Sequence, residues 1–310
     1  MVGFDIGGTK CAVCVGEEKE GNLIVTDKRV FATAGVAPYD MLERLCGAAE
    51  QMTDDCSCVG ISCGGPLDTA RGLILSPPNL PGWDEIPAVQ WVEKRLSCHA
   101  SLRNDADACA LAEWRYGAGK GTDSMVFITF GTGFGAGVIV NGRLWQGATG
   151  RAGEIGHVRL AKRGPLGYYK HGSCEGFCSG GGIAKQGRSA AKKALRDGIL
   201  LPYCSSEAEL DGINARILAE YARQGEPVAR GVYGAVASRL GEALAIVFDM
   251  IDPEVVVIGS IFERSEDLLR PEMEKVLFRE ALRGSDCRVI SAVLGDSIGD
   301  IAALTVAQEG

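Results

Sequence analysis

Four groups of residues in this chain have the types and spacing for chemistry. Asp5 stands just ahead of Gly7, Gly8, Thr9 and Lys10, and a second turn, Gly131-Thr132-Gly133, repeats the glycine and threonine pattern. Free turn amides, a threonine hydroxyl and an ammonium can line an anion, and a carboxylate beside them can hold a hydrated Mg²⁺ against the same phosphate. This is a phosphate grip without a Walker motif; taken singly, each stretch is equally a tight glycine turn. The third group, Asn104-Asp105, follows a short apolar run. An aspartate beyond the carboxyl end of a strand is well placed to act on a ligand, while the same pair is by composition a helix cap. The fourth is Glu154 and His157, three apart in a glycine-dense stretch over 147–157, a setting that by itself reads as a solvated loop.

These groups need elements to hold them. Residues 2–15 read as strand, turn, strand: Phe4 and Ile6 favour a strand, Gly7-Gly8 supplies backbone freedom that side chains do not tolerate, and 12–15 is again apolar. Residues 125–140 repeat the design, and Asn141-Gly142 closes it as a type I′ turn. Two such hairpins about 120 residues apart point to two related domains, each offering a phosphate loop to one nucleotide in the cleft between them. Strands are further expected over 22–33, 59–63, 99–102, 254–260 and 287–293. Helices are expected over 39–52, 86–96, 106–116, 183–197, 206–223, 227–251, 267–280 and 298–307. A short hairpin is expected over 72–78, before Pro77, Pro78 and Pro81 forbid a regular ladder. Asn79 then lies in a stiff exposed loop, suited to hydroxyl recognition or serving only as a connector.

Composition narrows the function. With 46% hydrophobic and 23% charged residues among 310, the chain is an ordinary globular protein with a sizeable core. A net charge of −8 without any Lys/Arg run argues against a nucleic-acid partner, because neutralising several phosphates needs a basic face. No apolar run reaches membrane-spanning length, and the first strand leaves no room for a signal peptide, so a cytoplasmic location and no membrane partner are expected. The twelve cysteines are scattered; Cys11, Cys14, Cys63 and Cys109 lie in apolar runs and read as small hydrophobes. Cys56 and Cys58 lack a second ligand pair at metal spacing.

The two Gly-Thr hairpins, the run Asn104-Asp105-Ala106-Asp107-Ala108 and the segment Gly153-Glu154-Ile155-Gly156-His157 together resemble the ROK family of sugar kinases, within the actin, hexokinase and Hsp70 ATPase superfamily. The resemblance covers essentially the whole chain. It implies an α/β fold of two ribonuclease H-like, actin-like ATPase domains with an interdomain cleft. The small N-terminal domain would be 1–117 plus 296–310, with the closing helix crossing back, and the large C-terminal domain 118–295. The implied activity is transfer of the γ-phosphate of ATP, with Mg²⁺, to a hydroxyl of a hexose or N-acetylhexosamine, by a homodimer. Asp105 would be the general base. Gly65, Asn79, Asn104, Asp105, Glu154, His157 and Glu175 would contact the sugar. Asp5, Gly7, Gly8, Thr9, Lys10, Gly131, Thr132, Gly133 and Gly259 would serve the nucleotide, with Asp5 holding Mg²⁺ through water. Family members that act as repressors carry a helix-turn-helix module ahead of the first hairpin, whereas only four residues precede Asp5. A sugar-binding regulator without kinase activity is the alternative.

The chain departs from the family in two places. Asp107 stands where Asn is usual, adding a negative charge. The family also usually shows Cys-x-Cys-Gly-x-x-Gly-Cys-x-Glu, whose thiolates join the His of Gly-Glu-x-Gly-His around a structural zinc. Laid on this chain through Gly172 and Glu175, the three cysteine positions fall on Leu166, Tyr168 and Ser173. No structural zinc is therefore expected, and Tyr168, Tyr169, Gly164-Pro165 and Gly167 are expected to pack the loop instead. The competing possibility is a rebuilt site of His157, His171, Cys174 and Cys178.

Overall fold

Near-continuous apolar runs build the first sheet of this computed structural model, which describes residues 1–309. β1 (Val2–Ile6) is antiparallel to β2 (Lys10–Lys19), with Phe4 opposite Val13 and Ile6 opposite Cys11. β2 pairs antiparallel with β3 (Asn22–Ala32), with a bulge at Val15 and Gly16. α1 (Pro38–Met52) opens on a proline, which suits a first turn because no N–H partner is needed there, and buries Met41, Leu42 and Leu45. β4 (Cys58–Cys63) is parallel to β1. The hairpin of β5 (Leu67–Asp68) and β6 (Leu73–Ile74) leads to α2 (Ala88–Leu96) and β7 (His99–Asn104), itself parallel to β4. The sheet order is β3-β2-β1-β4-β7. α3 (Asp105–Tyr116) leaves the carboxyl end of β7.

The second sheet starts with β8 (Met125–Phe130), β9 (Phe134–Val140) and β10 (Arg143–Leu144). Asn141 (φ 51) and Gly142 (φ 69) form the expected type I′ connection between the last two. A small ladder, β11 (Leu166–Gly167) with β12 (Lys170–His171), precedes four helices: α4 (Cys174–Phe177), α5 (Gly180–Arg196), α6 (Ala215–Arg223) and α7 (Pro227–Ile251). β13 (Val255–Ile258), α8 (Ile261–Glu280), β14 (Val289–Ser291) and α9 (Ile298–Ala307) complete the order. The strand order is β10-β9-β8-β13-β14. β13 is parallel to both neighbours and wholly buried, which is why it reads as an unbroken Val/Ile run.

By packing, the chain forms two compact units. Unit 1 comprises Met1–Asp123, Gly137–Ala152 and the segment from Val293 on; unit 2 comprises Ser124–Ala136 and Gly153–Ala292. In unit 1, Phe4, Leu42, Ile61, Trp83 and Leu102 share a core, and a second cluster around Ala108, Ala112, Ile301 and Leu304 joins α3 to α9. Glycines floor the sheet where α9 crosses it. A Cβ built on Gly60 would stand 2.0 Å from the Ala303 carbonyl oxygen, and one on Gly3 2.9 Å from the Leu304 nitrogen. Gly137 plays the same part on β9, where a Cβ would stand 2.6 Å from the Ala106 carbonyl oxygen of α3. This close approach draws 137–152 into unit 1, whereas the expected boundary put that segment in the C-terminal domain. In unit 2, Val236, Leu240 and Leu244 are buried on α7, and Gly241 admits the Met273 backbone of α8, 2.6 Å from where a Cβ would sit. No described helix is long and apolar enough to cross a membrane. All twelve cysteines are free thiols.

Three expected elements differ in place. The hairpin expected over 72–78 pairs Leu67 with Ile74, because Gly72 (φ 67) belongs to its turn rather than its start. The helix expected over 206–223 is divided: a 3-10 turn spans Glu207–Gly212, and α6 begins after Asn214, whose side chain accepts from the Ile217 amide. Gly212 disfavours propagation and Asn214 favours a fresh start. α8 begins at Ile261 rather than 267, since Ser260 and Glu263 form a capping box directly behind β13.

Candidate active site

β1, β4 and β7 are parallel, so Asp5 near the end of β1 and Asn104-Asp105 at the end of β7 reach the same edge of the sheet. Gly64 and Gly65, which follow β4, border them. A Cβ on Gly65 would be 3.3 Å from Asn104 Nδ2, and one on Gly64 3.8 Å from Asp105 Oδ2. The Ala106 amide donates to Asn104 Oδ1 (3.0 Å) and Asp105 Oδ1 (2.8 Å). Capping and a position at the strand end therefore coexist in this pair. The first glycine turn is closed by the Gly7 amide donating to the Lys10 carbonyl, and the Thr33 hydroxyl donates to the Gly7 carbonyl at 2.7 Å. Gly8, Thr9 and Lys10 are exposed. Neither glycine has the left-handed φ that the sequence pattern suggested; space is what excludes a side chain. A Cβ on Gly8 would lie 2.4 Å from the Asn79 carbonyl oxygen, which also shows that the Asn79 loop abuts the turn.

The carboxylates here oppose one another. Burial pushes the half-buried Asp5 carboxyl up to about 6, with Asp300 and Asp105 adding to the rise and Lys10 and Lys28 opposing it. Asp300, in the first turn of α9, is bridged to Lys28 at 2.5 Å. A Cβ on neighbouring Gly299 would stand 3.0 Å from Asp5 Oδ2, so the start of α9 presses on this carboxylate. Asp105 is exposed to solvent yet crowded by protein on its other sides. That crowding raises its carboxyl above the ordinary range, against the pull of the Ala106 amide. A carboxylate of raised pKa accepts a proton more readily than an ordinary one.

Unit 2 gathers a second set. The Gly131 amide donates to the Gly133 carbonyl, and the Gly131 carbonyl accepts from the Gly180 amide at 2.8 Å. The second glycine turn therefore meets the N-terminus of α5, a 17-residue helix that opens Gly180-Gly181-Gly182 with Ser179 as its cap. Amides and helix dipole at such a terminus favour a phosphate. A helix was expected over 183–197; the structure starts it three residues earlier, at Gly180, and brings that terminus to the turn. Gly259-Ser260 borders the same turn, with Ser260 Oγ 3.4 Å from a Cβ on Gly131. Glu175 on α4 borders it too: Oε2 accepts from the Phe134 amide at 3.4 Å and would be 3.0 Å from a Cβ on Gly133. Gly156 is wedged beside them, 2.1 Å from the Phe134 carbonyl and 3.6 Å from Glu175 Cβ as measured from a built Cβ. Next to it, His157 Nε2 lies 3.5 Å from Glu154 Oε2. Thr132 is exposed.

The two metals that the fold implies differ in fit. Mg²⁺ keeps several waters and takes one or two carboxylates plus phosphate oxygens. Asp5, its charge crowded by Asp300 and Asp105, suits that manner of binding. Zinc does not fit. Leu166, Tyr168 and Ser173 bring no thiolate, and among the described residues no group of three or more His, Cys, Asp or Glu side chains could hold a metal ion. Cys174 and Cys178 are buried, the Cys178 thiol directed to the Val236 carbonyl, while the exposed His171 Nδ1 meets the Gly164 carbonyl.

Comparison with known proteins agrees over the full length. The model of the ROK family matches residues 1–309. A glucokinase of Streptomyces coelicolor is 32% identical, over 99% of this chain and 97% of its own. The crystal structure of a ROK family glucokinase from Streptomyces griseus in complex with glucose and AMPPNP superposes with a TM-score of 0.81 at 31% identity, covering 100% of this chain and 99% of that one. A ROK hexokinase from Thermus thermophilus superposes with a TM-score of 0.82 at 28% identity, over 100% and 98% of the two chains.

Proposed function

The chain belongs to the ROK family, and from that membership we propose that it is an ATP-dependent sugar kinase with Asp105 as its general base. One observation carries the assignment of Asp105. It is a solvent-reaching carboxylate of raised pKa at the end of β7, bordered by Asn104 and by Gly64. Whole-length similarity to a glucokinase crystallised with glucose and AMPPNP supplies the substrate class.

The reaction balances on these groups. Asp105 accepts the proton of a sugar hydroxyl as that oxygen forms a bond to the γ-phosphorus, while the bond from phosphorus to the ADP oxygen breaks; the proton leaves to solvent with product release. Asn104, Gly65 and Asn79 contact the sugar, and Glu154, His157 and Glu175 orient it, carboxylates being acceptors for neighbouring hydroxyls. Gly7, Gly8, Thr9 and Lys10, the turn Gly131-Thr132-Gly133 and Gly259 serve ATP. Mg²⁺, when held by Asp5 through water, offsets the charge of the phosphates. We also propose a cytoplasmic homodimer. Exposed Met250 and Leu282, brought together by the Leu282 amide bonding Asp249, would give it an apolar contact.

Sugar-dependent ADP release, measured by a coupled assay with Mg-ATP over a panel of hexoses and N-acetylhexosamines, tests the proposal. Turnover of at least one sugar is expected. Sugar binding without ADP release from any of them would favour a regulator instead.

A further inference from the structure

Two consecutive tyrosines make the turn between β11 and β12, and both stand in the left-handed region, Tyr168 at φ 42 and Tyr169 at φ 62. A two-residue turn with both positions at positive φ favours Asn and Gly; aromatic residues are held there only where the surroundings over-determine them. Here the surroundings act on Tyr168. Its ring meets the His157 ring edge-on, with 4.5 Å between centroids and 78° between planes. Tyr168 is 44% exposed and Tyr169 87%, the Tyr169 ring standing edge-on to the Tyr168 ring at 5.5 Å between centroids. The next residue, Lys170, donates from Nζ to the His157 carbonyl at 2.8 Å. One hairpin thus fixes both the imidazole and the backbone of His157.

The hairpin is in turn tied to the helix that carries Glu175. Ser173 Oγ donates to the Gly167 carbonyl at 3.3 Å and accepts from the Gly176 amide at 3.1 Å. A Cβ on Gly167 would stand 2.4 Å from the Gly176 nitrogen, so ladder and helix are in backbone contact.

We infer that Tyr168 is a positioning residue for His157 and, through the 3.5 Å approach of His157 Nε2 to Glu154 Oε2, for Glu154 as well. This rests on the reading of His157 and Glu154 as sugar contacts. An imidazole open to solvent on one side rotates among several orientations, and a group that must meet a hydroxyl needs one. The tyrosine ring supplies that restriction, and the left-handed turn aims it. The role therefore belongs to the ring at 168 and not to its neighbour.

Steady-state kinetics of five variants, on a sugar the wild type phosphorylates, test this. Tyr168→Ala is expected to raise the sugar KM about 3- to 10-fold, the ratio one aromatic pair is worth. Both kcat and the ATP KM should stay within about two-fold, because those reside in groups elsewhere. Tyr168→Phe keeps the ring and should restore the wild-type sugar KM, and Tyr169→Gly should leave it unchanged. His157→Ala should raise it, and Tyr168→Ala added to His157→Ala should do nothing more, since the two act on one contact. A raised KM for His157→Ala beside an unchanged one for Tyr168→Ala overturns the inference alone. So does a Tyr168→Ala defect that Phe fails to rescue or that spreads equally to ATP, which would mark general damage to the loop. An unchanged sugar KM in His157→Ala overturns the underlying assignment of His157, and the inference falls with it.

Discussion

Replacing Asp5 by Asn is expected to stabilise the protein above neutral pH while disabling it. The Asp5 carboxyl lies at about 6 instead of the ordinary 3.8, raised first by burial and then by Asp300 and Asp105, with Lys10 and Lys28 pulling the other way. That rise corresponds to about 3 kcal/mol. Between roughly pH 4 and 6 the folded chain keeps a proton on Asp5 that the unfolded chain has released. Wild-type stability therefore falls as pH rises through that window and stays lowered above it. Asn keeps the shape and an acceptor oxygen beside the start of α9 but has no charge to desolvate. Asp5→Asn and wild type should thus unfold together near pH 4 and part by about 3 kcal/mol at most at pH 8. For a cooperative unit of this size that is a few degrees per kcal/mol, or roughly 6–12 °C at the ceiling. Thermal unfolding followed by circular dichroism, without nucleotide or Mg²⁺, reads the difference directly. A constant gap at pH 4 and pH 8, or a variant less stable at pH 8, would refute the reasoning. Mg-ATP should narrow the gap, because it stabilises the wild type through the carboxylate the variant lacks.

Asp105→Asn should lower kcat at least about 100-fold with little change in sugar KM, since a positioned base contributes roughly 10²–10⁴; a loss under about ten-fold would sink the assignment. The wild-type rate should fall on acidification through a pKa above the ordinary carboxylate range, because Asp105 works ionised and its pKa is raised; a limb at the ordinary value would contradict the crowding described. Gly133→Val should raise the ATP KM, as its Cβ would already stand 3.0 Å from Glu175 Oε2 and a branched side chain would distort the turn proposed to serve ATP; an unchanged ATP KM would count against that turn as a phosphate loop. Gly60→Ala should cost about 3 kcal/mol or more, or prevent folding, since its Cβ would overlap the Ala303 carbonyl; a denaturant midpoint near the wild-type value would count against the packing of α9.

Much of this architecture was legible because local pattern and tertiary demand agree. The helices expected over 227–251 and 298–307 match α7 and α9 end to end, the first with Pro253 just beyond it and the second marked out by its apolar density. The paired glycine turns were legible for the right residues and partly the wrong reason: Gly8 is needed for the approach of Asn79 and not for its φ. What stayed hidden depends on distant partners or on residues that break local rules. Asp300 influences Asp5 only because α9 returns across β1, a separation no window of sequence spans. Nor do two tyrosines signal a left-handed turn, since their own preferences oppose it. The helix expected from 183 carries no mark of what its terminus meets, and the contact of Gly180 with Gly131 is a tertiary fact.

The return of α9 also sets a timetable for the nascent chain. β1, β4 and β7 leave the ribosome early, but the helix that covers the Gly3 and Gly60 floor comes roughly 190 residues after β7, some 10–40 s later at ordinary elongation rates. All through that interval the face of the first sheet that α9 will occupy stands uncovered, a long-range closure of the slow kind. Unit 2, by contrast, is drawn from 124–136 and 153–292 and has all its residues before α9 emerges. The second half of the chain can therefore be native while the first still waits, and in that period the uncovered glycine-floored strands are where chaperones or premature association would act.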